Sequence, residues 1–247
     1  MNRNNVSAHA TCRVALAAAV LALTACGGGS DAIQPVAAGC FDSRLYAANT
    51  RVELQYSKPS APHNTMTESR EILSTNATFN STTGLVATKL SSIDTYRSPG
   101  GNILVAGEKV VYQSFPRPGV VALHGSVATT RGNPGERTLT YSPPSEDVRA
   151  TLAPGEEATN LAQGTDSRPG VDAPPQPFST QTRIKFVGVE TVTLSTGVYQ
   201  ACRYESLDAP GGYSEWIYRG IKIRSGFLGV PASIVEMTSG TINGVPI

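Results

Sequence analysis

The sequence is poor in charged and aromatic residues and has almost no net charge. Of its 247 residues, 16% are charged and 6% are aromatic, and 20 basic against 19 acidic side chains leave a formal charge of +1. Without a basic excess the chain lacks the electrostatic attraction that holds nucleic acid, so we expect no nucleic-acid partner. The hydrophobic share of 40% is enough for one large domain with a core.

The motifs of common catalytic and cofactor sites are also missing. The sequence contains no GxSxG, HExxH, CxxC, GxGxxG or Walker motif. His63 and His124 do not adjoin a recognisable nucleophile turn, and their spacing from the cysteines is not that of a zinc site. We therefore expect a protein that is not an enzyme and that holds no metal and no cofactor.

The first part of the chain has the pattern of a secretion signal. Arg3 and Arg13 are followed by an uncharged segment, residues 14–25, that is too short to cross about 30 Å of hydrocarbon as a helix. It ends in Leu-Thr-Ala-Cys at residues 23–26, which resembles the lipobox of bacterial lipoproteins. Only a thiol can be alkylated by a diacylglyceryl group there. The alternative is an ordinary signal peptide with a chance cysteine.

The lipobox predicts both processing and location. Residues 1–25 are the expected signal peptide, Cys26 becomes the acylated first residue, and residues 26–38 form a flexible tether. Several acyl chains together, those of a diacylglyceryl group and a palmitate-type chain, anchor a protein firmly in a membrane. Because Gly27 rather than an aspartate follows the cysteine, the resemblance implies the outer membrane, facing the periplasm.

Two cysteines remain once the signal is removed and Cys26 is acylated. Cys40 and Cys202 would then meet in an oxidising compartment, where disulfides persist. We predict a Cys40–Cys202 disulfide. The alternative is one buried and one exposed free thiol.

Glycine, proline and short alternating segments indicate a mainly β domain at residues 39–247. There are 24 Gly and 17 Pro, too many for a helical bundle, and residues 51–56 alternate strictly between apolar and polar. Seven prolines fall within residues 142–177, so we expect a solvated excursion there rather than regular sheet, in preference to an interdomain linker.

The segment 183–205 predicts a hairpin with a three-residue loop at residues 195–197. This register places Glu190 across from Cys202 on the inward face. Glu190 is then either a ligand-orienting group or the partner of Arg203 or Arg224. Beyond it, Trp216 and Tyr218 either line a cavity mouth or pack in the sheet, and a bulge at Gly220 would explain the change of parity that follows.

Three segments together resemble a family of uncharacterised bacterial envelope lipoproteins. They are GVETVTLSTGVYQAC from Gly188, EWIYRGIKIRS from Glu215 and VEMTS from Val235. The resemblance implies a single antiparallel, strongly curled sheet with little helix, an open half-barrel similar to periplasmic lipoprotein and lipid carriers. It implies no catalytic residues.

Two functions are consistent with these patterns. The first is a lipid-anchored, non-enzymatic lipoprotein that shields a hydrophobic ligand or an acylated partner, with Trp216, Tyr218 and Glu190 as candidates to face it. The alternative is a structural or interaction protein of the cell envelope, with a filled core and no ligand.

Overall fold

The structure, a computed structural model, describes residues 36–98, 101–130, 136–168, 174–209 and 211–247. Residues 34–247 form one compact unit. The predicted signal peptide, the predicted acylation site Cys26 and most of the predicted tether lie outside the described residues.

The described chain consists of thirteen antiparallel strands and four short 3₁₀ helices. The helices are Val36–Cys40, Ser43–Tyr46, Arg149–Thr151 and Pro231–Ser233. The strands are β1 Arg51–Lys58, β2 Ala61–Phe79, β3 Thr82–Ser98, β4 Gly101–Arg117, β5 Val120–Thr130, β6 Glu136–Asp147, β7 Glu157–Ser167, β8 Gln176–Leu194, β9 Gly197–Ser206, β10 Tyr213–Tyr218, β11 Ile221–Phe227, β12 Val235–Ile242 and β13 Val245–Pro246. The prediction of a mainly β, antiparallel domain with little helix is confirmed.

The sheet is closed, so the predicted open half-barrel is wrong. Each strand pairs with the next along the chain, and β1 also pairs with β12 from Val52 opposite Ile242 to Ser57 opposite Glu236. Strands β1–β12 therefore form a barrel, and β13 is an additional strand on β12. Closure gives β1 a neighbour on both sides, which removes the unpaired edge that a half-barrel would expose.

Alternation along the strands decides which side chains enter the barrel. In β1 the exposed Arg51, Glu53 and Gln55 alternate with the buried Val52, Leu54 and Tyr56, as predicted. The buried residues form two apolar clusters. One joins β1 to β8, β9, β11 and β12, and the other contains Ala37, Cys40, Leu152, Phe186, Cys202 and Tyr204.

The segment before β1 closes one end of the barrel. Cys40 and Cys202 form the predicted disulfide, with a Cα–Cα distance of 5.9 Å, and Gly220 N–H donates to the Cys40 carbonyl. Leu45 is fully buried in the larger apolar cluster. The end of the predicted tether belongs to this segment too, because Ala37 is fully buried in the smaller cluster.

The predicted β8–β9 hairpin exists, but its register is shifted by one residue. Leu194 pairs directly with Gly197, so the loop has two residues rather than three. Val192 consequently lies opposite Tyr199, and Glu190 lies opposite Ala201 instead of Cys202. Because successive side chains in a strand point to opposite faces, this shift removes Glu190 from the face of Cys202.

A hairpin turn at Arg219 and Gly220 contributes to the change of parity near Gly220, and the predicted bulge lies not at Gly220 but where the β10–β11 register shifts between Trp216 and Ile217. Arg219 and Gly220 have φ values of 49° and 77° and connect β10 to β11, with Tyr218 opposite Ile221. Positive φ at both central residues is the requirement of a type I′ turn, where glycine at the second position is favoured. The segment 213–225 is therefore two strands.

Much of the proline-rich segment 142–177 is sheet, contrary to the expectation. β6 continues to Asp147, and β7 occupies Glu157–Ser167. The β5–β6 register passes from Gly125 opposite Thr140 to Leu123 opposite Ser145, so Pro143 and Pro144 fall where β6 has no partner on β5. Prolines are tolerated there because the ladder requires no N–H.

We predict that the Cys40–Cys202 disulfide stabilises the barrel by holding its end segment in place. The bridge spans 162 residues, for which chain entropy gives a contribution of about 5 kcal/mol as an upper value. The double variant C40S/C202S should melt about 10 °C or more below the wild type.

Calorimetry with and without reductant measures this effect. Reductant should bring the wild type to the melting temperature of the variant and leave the variant unchanged. Equal melting temperatures for the oxidised wild type and the variant would contradict the prediction.

Candidate functional site

A cavity of about 590 Å³, partly open to solvent, lies between β1–β5 and β10–β11. One wall is formed by one face of β1–β5. Residues that are paired between neighbouring strands form rows across this face, perpendicular to the strands. Its first row is Val52, Arg70, Leu90, Lys109 and Ala128, and its second is Leu54, Glu68, Ser92 and Gly107. The opposite side is supplied by Glu215, Ile217, Ile221 and Lys222 of β10 and β11 and by Arg149. The lining therefore mixes a group of apolar side chains with a larger number of polar and charged ones.

One charged group of the lining is neutralised across the cavity. Lys222 Nζ lies 3.3 Å from Glu68 Oε1, and the Tyr56 hydroxyl donates to the Lys222 carbonyl at 2.8 Å. Burial, with the nearby Glu68 carboxylate, raises the pKa of the fully buried Tyr56 far above its ordinary value. Tyr56 is therefore a neutral hydrogen-bond donor at physiological pH.

A second charged group lies where the β6–β7 connection meets β10. Arg149 pairs with Asp147 at 2.6 Å and with Glu215 at 3.2 Å, and its carbonyl accepts from the Tyr204 hydroxyl. Burial alone would raise the pKa of Asp147, but the adjacent Arg149 guanidinium outweighs it and lowers that pKa. Burial also raises the pKa of Tyr204. The cluster holds the short helix Arg149–Thr151 against the barrel.

Trp216, Tyr218 and Glu190, the predicted ligand-facing residues, do not line this cavity. They lie on another part of the β8–β10 surface, where Trp216 Nε1 donates to Glu190 Oε2 at 2.9 Å. Glu190 also pairs with Arg203 at 3.1 Å, the structural alternative from the sequence. Tyr218 packs edge-on against Tyr199. The structure therefore brings Trp216 and Glu190 together, whereas Tyr218 packs separately against Tyr199.

Sequence reasoning missed the charged residues that do line the cavity. Met66, Glu68, Arg70 and Ile72 share one parity in β2 and point inward together. Because two of these four are charged, the segment lacks the apolar alternation that identifies a half-buried strand. The available signal was the strict alternation in β1. Residues of β2 that pair with the buried residues of β1 share their face, which assigns Glu68 and Arg70 to the interior.

The histidines do not form a catalytic or metal-binding group with other described residues. His124 Nε2 lies 2.9 Å from Ser114 Oγ, and burial lowers the pKa of His124. Within the described ranges no carboxylate contacts this imidazole, so the third member of a Ser-His-acid arrangement is missing there. The same part of the chain contains no group of three or more residues suited to a metal ion.

The chain matches no protein family, no curated protein and no solved structure. Among the residues that the structure describes, no helix has the length and apolar character needed to cross a membrane.

We predict that Asp147 stabilises the fold through Arg149 in a pH-dependent way. The pKa of Asp147 is lowered in the folded state, so its contribution is complete above the ordinary value of 3.8 and is lost as the pH falls through the folded-state pKa. Both side chains are about one-third exposed, at 32% and 35%, which limits the cost of D147N at pH 7 to about 1–2 kcal/mol.

Urea unfolding at neutral pH and near pH 3 measures this difference. The cost of D147N should shrink at the lower pH, which lies below the ordinary aspartate pKa of 3.8, because the unfolded wild-type chain then binds a proton more readily than the folded one. The matched control is D208N. Asp208, the ion-pair partner of Arg183, is more exposed than Asp147, so D208N should lower the free energy of unfolding by less than D147N does. A D147N deficit that stays constant with pH would contradict the assignment.

Proposed function

We propose that this protein is a lipid-anchored, non-enzymatic lipoprotein of the outer membrane that holds a hydrophobic ligand inside its barrel. The observation that carries the proposal is the cavity of about 590 Å³. Binding sites for small molecules are commonly about 300–1,000 Å³, with mostly apolar walls and a few oriented polar groups. The cavity also speaks against the alternative of an envelope protein with a filled core.

Part of the wall suits the apolar portion of a ligand. Val52, Leu54, Leu90, Ile217 and Ile221 line the cavity, and Tyr56 is neutral. Removing apolar ligand surface from water contributes about 25 cal/mol per Å² before the costs of binding are subtracted. The internally paired Glu68–Lys222 and Arg149–Asp147 groups orient a ligand without adding large uncompensated fields.

The lipid anchor in this proposal rests on the sequence pattern at residues 23–26. Acylation of Cys26 would keep the barrel at the membrane surface, where lipids and acylated proteins are its nearest apolar partners. The segment from Val36 onward is already part of the barrel end, so about ten residues would separate the anchor from the folded domain.

Mass spectrometry of protein extracted from the membranes of its native cells tests both parts. The intact mass should be that of a chain beginning at an acylated Cys26, and denaturing extraction should release a second, noncovalently bound apolar molecule. The variant G107L should lose that molecule, because a Cβ at Gly107 meets only Ser92 Oγ at 3.7 Å and the added side chain fills free space.

The matched control is T67L, which adds the same side chain on the outer face of β2 and should keep the bound molecule. A reproducibly empty wild-type barrel would overturn the ligand proposal and favour the structural alternative. An unmodified N-terminus elsewhere in the chain would overturn the anchor.

A further inference from the structure

Arg70, a half-buried residue of the cavity lining, has two guanidinium nitrogens that are buried without a hydrogen-bond partner. Its Nε and Nη2 atoms are inaccessible to solvent and make no hydrogen bond with the described parts of the chain. The guanidinium carbon lies 4.2 Å from the centre of the Tyr46 ring, which stacks against it but accepts no N–H···O bond. Arginine stays charged at all physiological pH values, so burial does not neutralise it.

The acidic residues near Arg70 are already engaged. Glu68, two residues away on the same face of β2, pairs with Lys222, and Glu215 pairs with Arg149. Glu108 pairs with Lys89. Arg70 thus has no carboxylate partner within residues 36–98 or in the other described ranges, and its two buried nitrogens have lost their water without gaining a hydrogen bond.

Lys109 adds a second positive charge to the same row. It follows Arg70 and Leu90 in the register across β2, β3 and β4, so it is about 10 Å from Arg70 along the wall. No ion pair of Lys109 occurs in the part of the chain that the structure describes. Leu90, between the two cations, supplies an apolar surface.

We propose that the cavity binds an amphipathic carboxylate, with its anionic group on Arg70 and its apolar part against Leu90, Val52 and Leu54. This inference rests on the proposed ligand-binding function and specifies the ligand's chemistry. A carboxylate matches the planar fork of a guanidinium and can accept two parallel hydrogen bonds from it. Since the arginine side chain is long and rotatable, the N–H groups of Arg70 turn toward the anionic group of a ligand in the cavity. Lys109 attracts the same anion from the other side of Leu90.

Binding of two ligands with the same tail tests the proposal on the wild-type protein. Decanoate carries the carboxylate and decan-1-ol does not, and both are titrated calorimetrically below their aggregation limits after the native ligand has been removed. Decanoate should bind about 10-fold or more tightly than decan-1-ol, as expected for hydrogen bonds to a charged group.

Variants then locate the charge. R70Q should remove most of the preference for decanoate while leaving decan-1-ol binding unchanged, and R70K should keep part of it. R51Q is the matched control, because it removes one positive charge from the exposed outer face of β1 and should behave as the wild type.

The outcomes separate this inference from the proposed function. Equal binding of both ligands by the wild type, or a preference that survives in R70Q, would overturn the assignment of the carboxylate to Arg70 while the apolar site stands. Binding of neither ligand would overturn the proposed function as well. Since the ligand comparison needs only the wild type, an unstable R70Q variant would not prevent a decision.

Discussion

The pairing of β1 with β12 is the constraint on which the rest of the structure depends. It turns a meander of consecutive hairpins into a closed barrel, so that one face of every strand is directed into a shared interior. Eight strands are about the size that side chains can fill, and a wider barrel leaves space. Here the end segment from Val36 to Tyr46 occupies one end, and the cavity remains beyond it.

The interior combines two solutions to the burial of polar side chains. Glu68 with Lys222, and Arg149 with Asp147 and Glu215, satisfy each other across neighbouring elements. Such groups stabilise little, but they fix orientation because an unpaired member would be costly. Arg70 departs from this pattern, because two of its guanidinium nitrogens are buried without a partner, and our proposal assigns a bound carboxylate to them. In our proposal, the ligand supplies the hydrogen bonds that Arg70 does not make in the chain alone.

Local patterns in the sequence predicted local structure well. Alternation in residues 51–56 identified β1, and the turn residues near Gly197 located the β8–β9 hairpin. The disulfide was predicted by counting the cysteines that remain when the predicted signal peptide and the predicted acylation site are set aside. The strand and the hairpin depend on residues that are close together in the chain, and the disulfide depends on a count of cysteines. The sequence alone is therefore enough to predict all three.

Features set by distant pairing could not be predicted. A loop shorter by one residue moved Glu190 to another face, and no composition argument distinguishes the two loop lengths. Closure depends on β1 meeting β12 almost at the other end of the chain. The site was missed for the same reason. Arg70 stands out only in the folded barrel, where two of its nitrogens are buried without a partner, whereas its own segment shows only mixed polarity.

Nuclear magnetic resonance of the protein tests closure most directly, through cross-strand nuclear Overhauser effects between β1 and β12. The account predicts contacts between backbone protons of Leu54 and Gly240 and between those of Val52 and Ile242, with slow exchange of the amide protons that join the two strands. Absence of these contacts, with fast exchange along the side of β1 that faces away from β2, would show an open sheet and contradict the account.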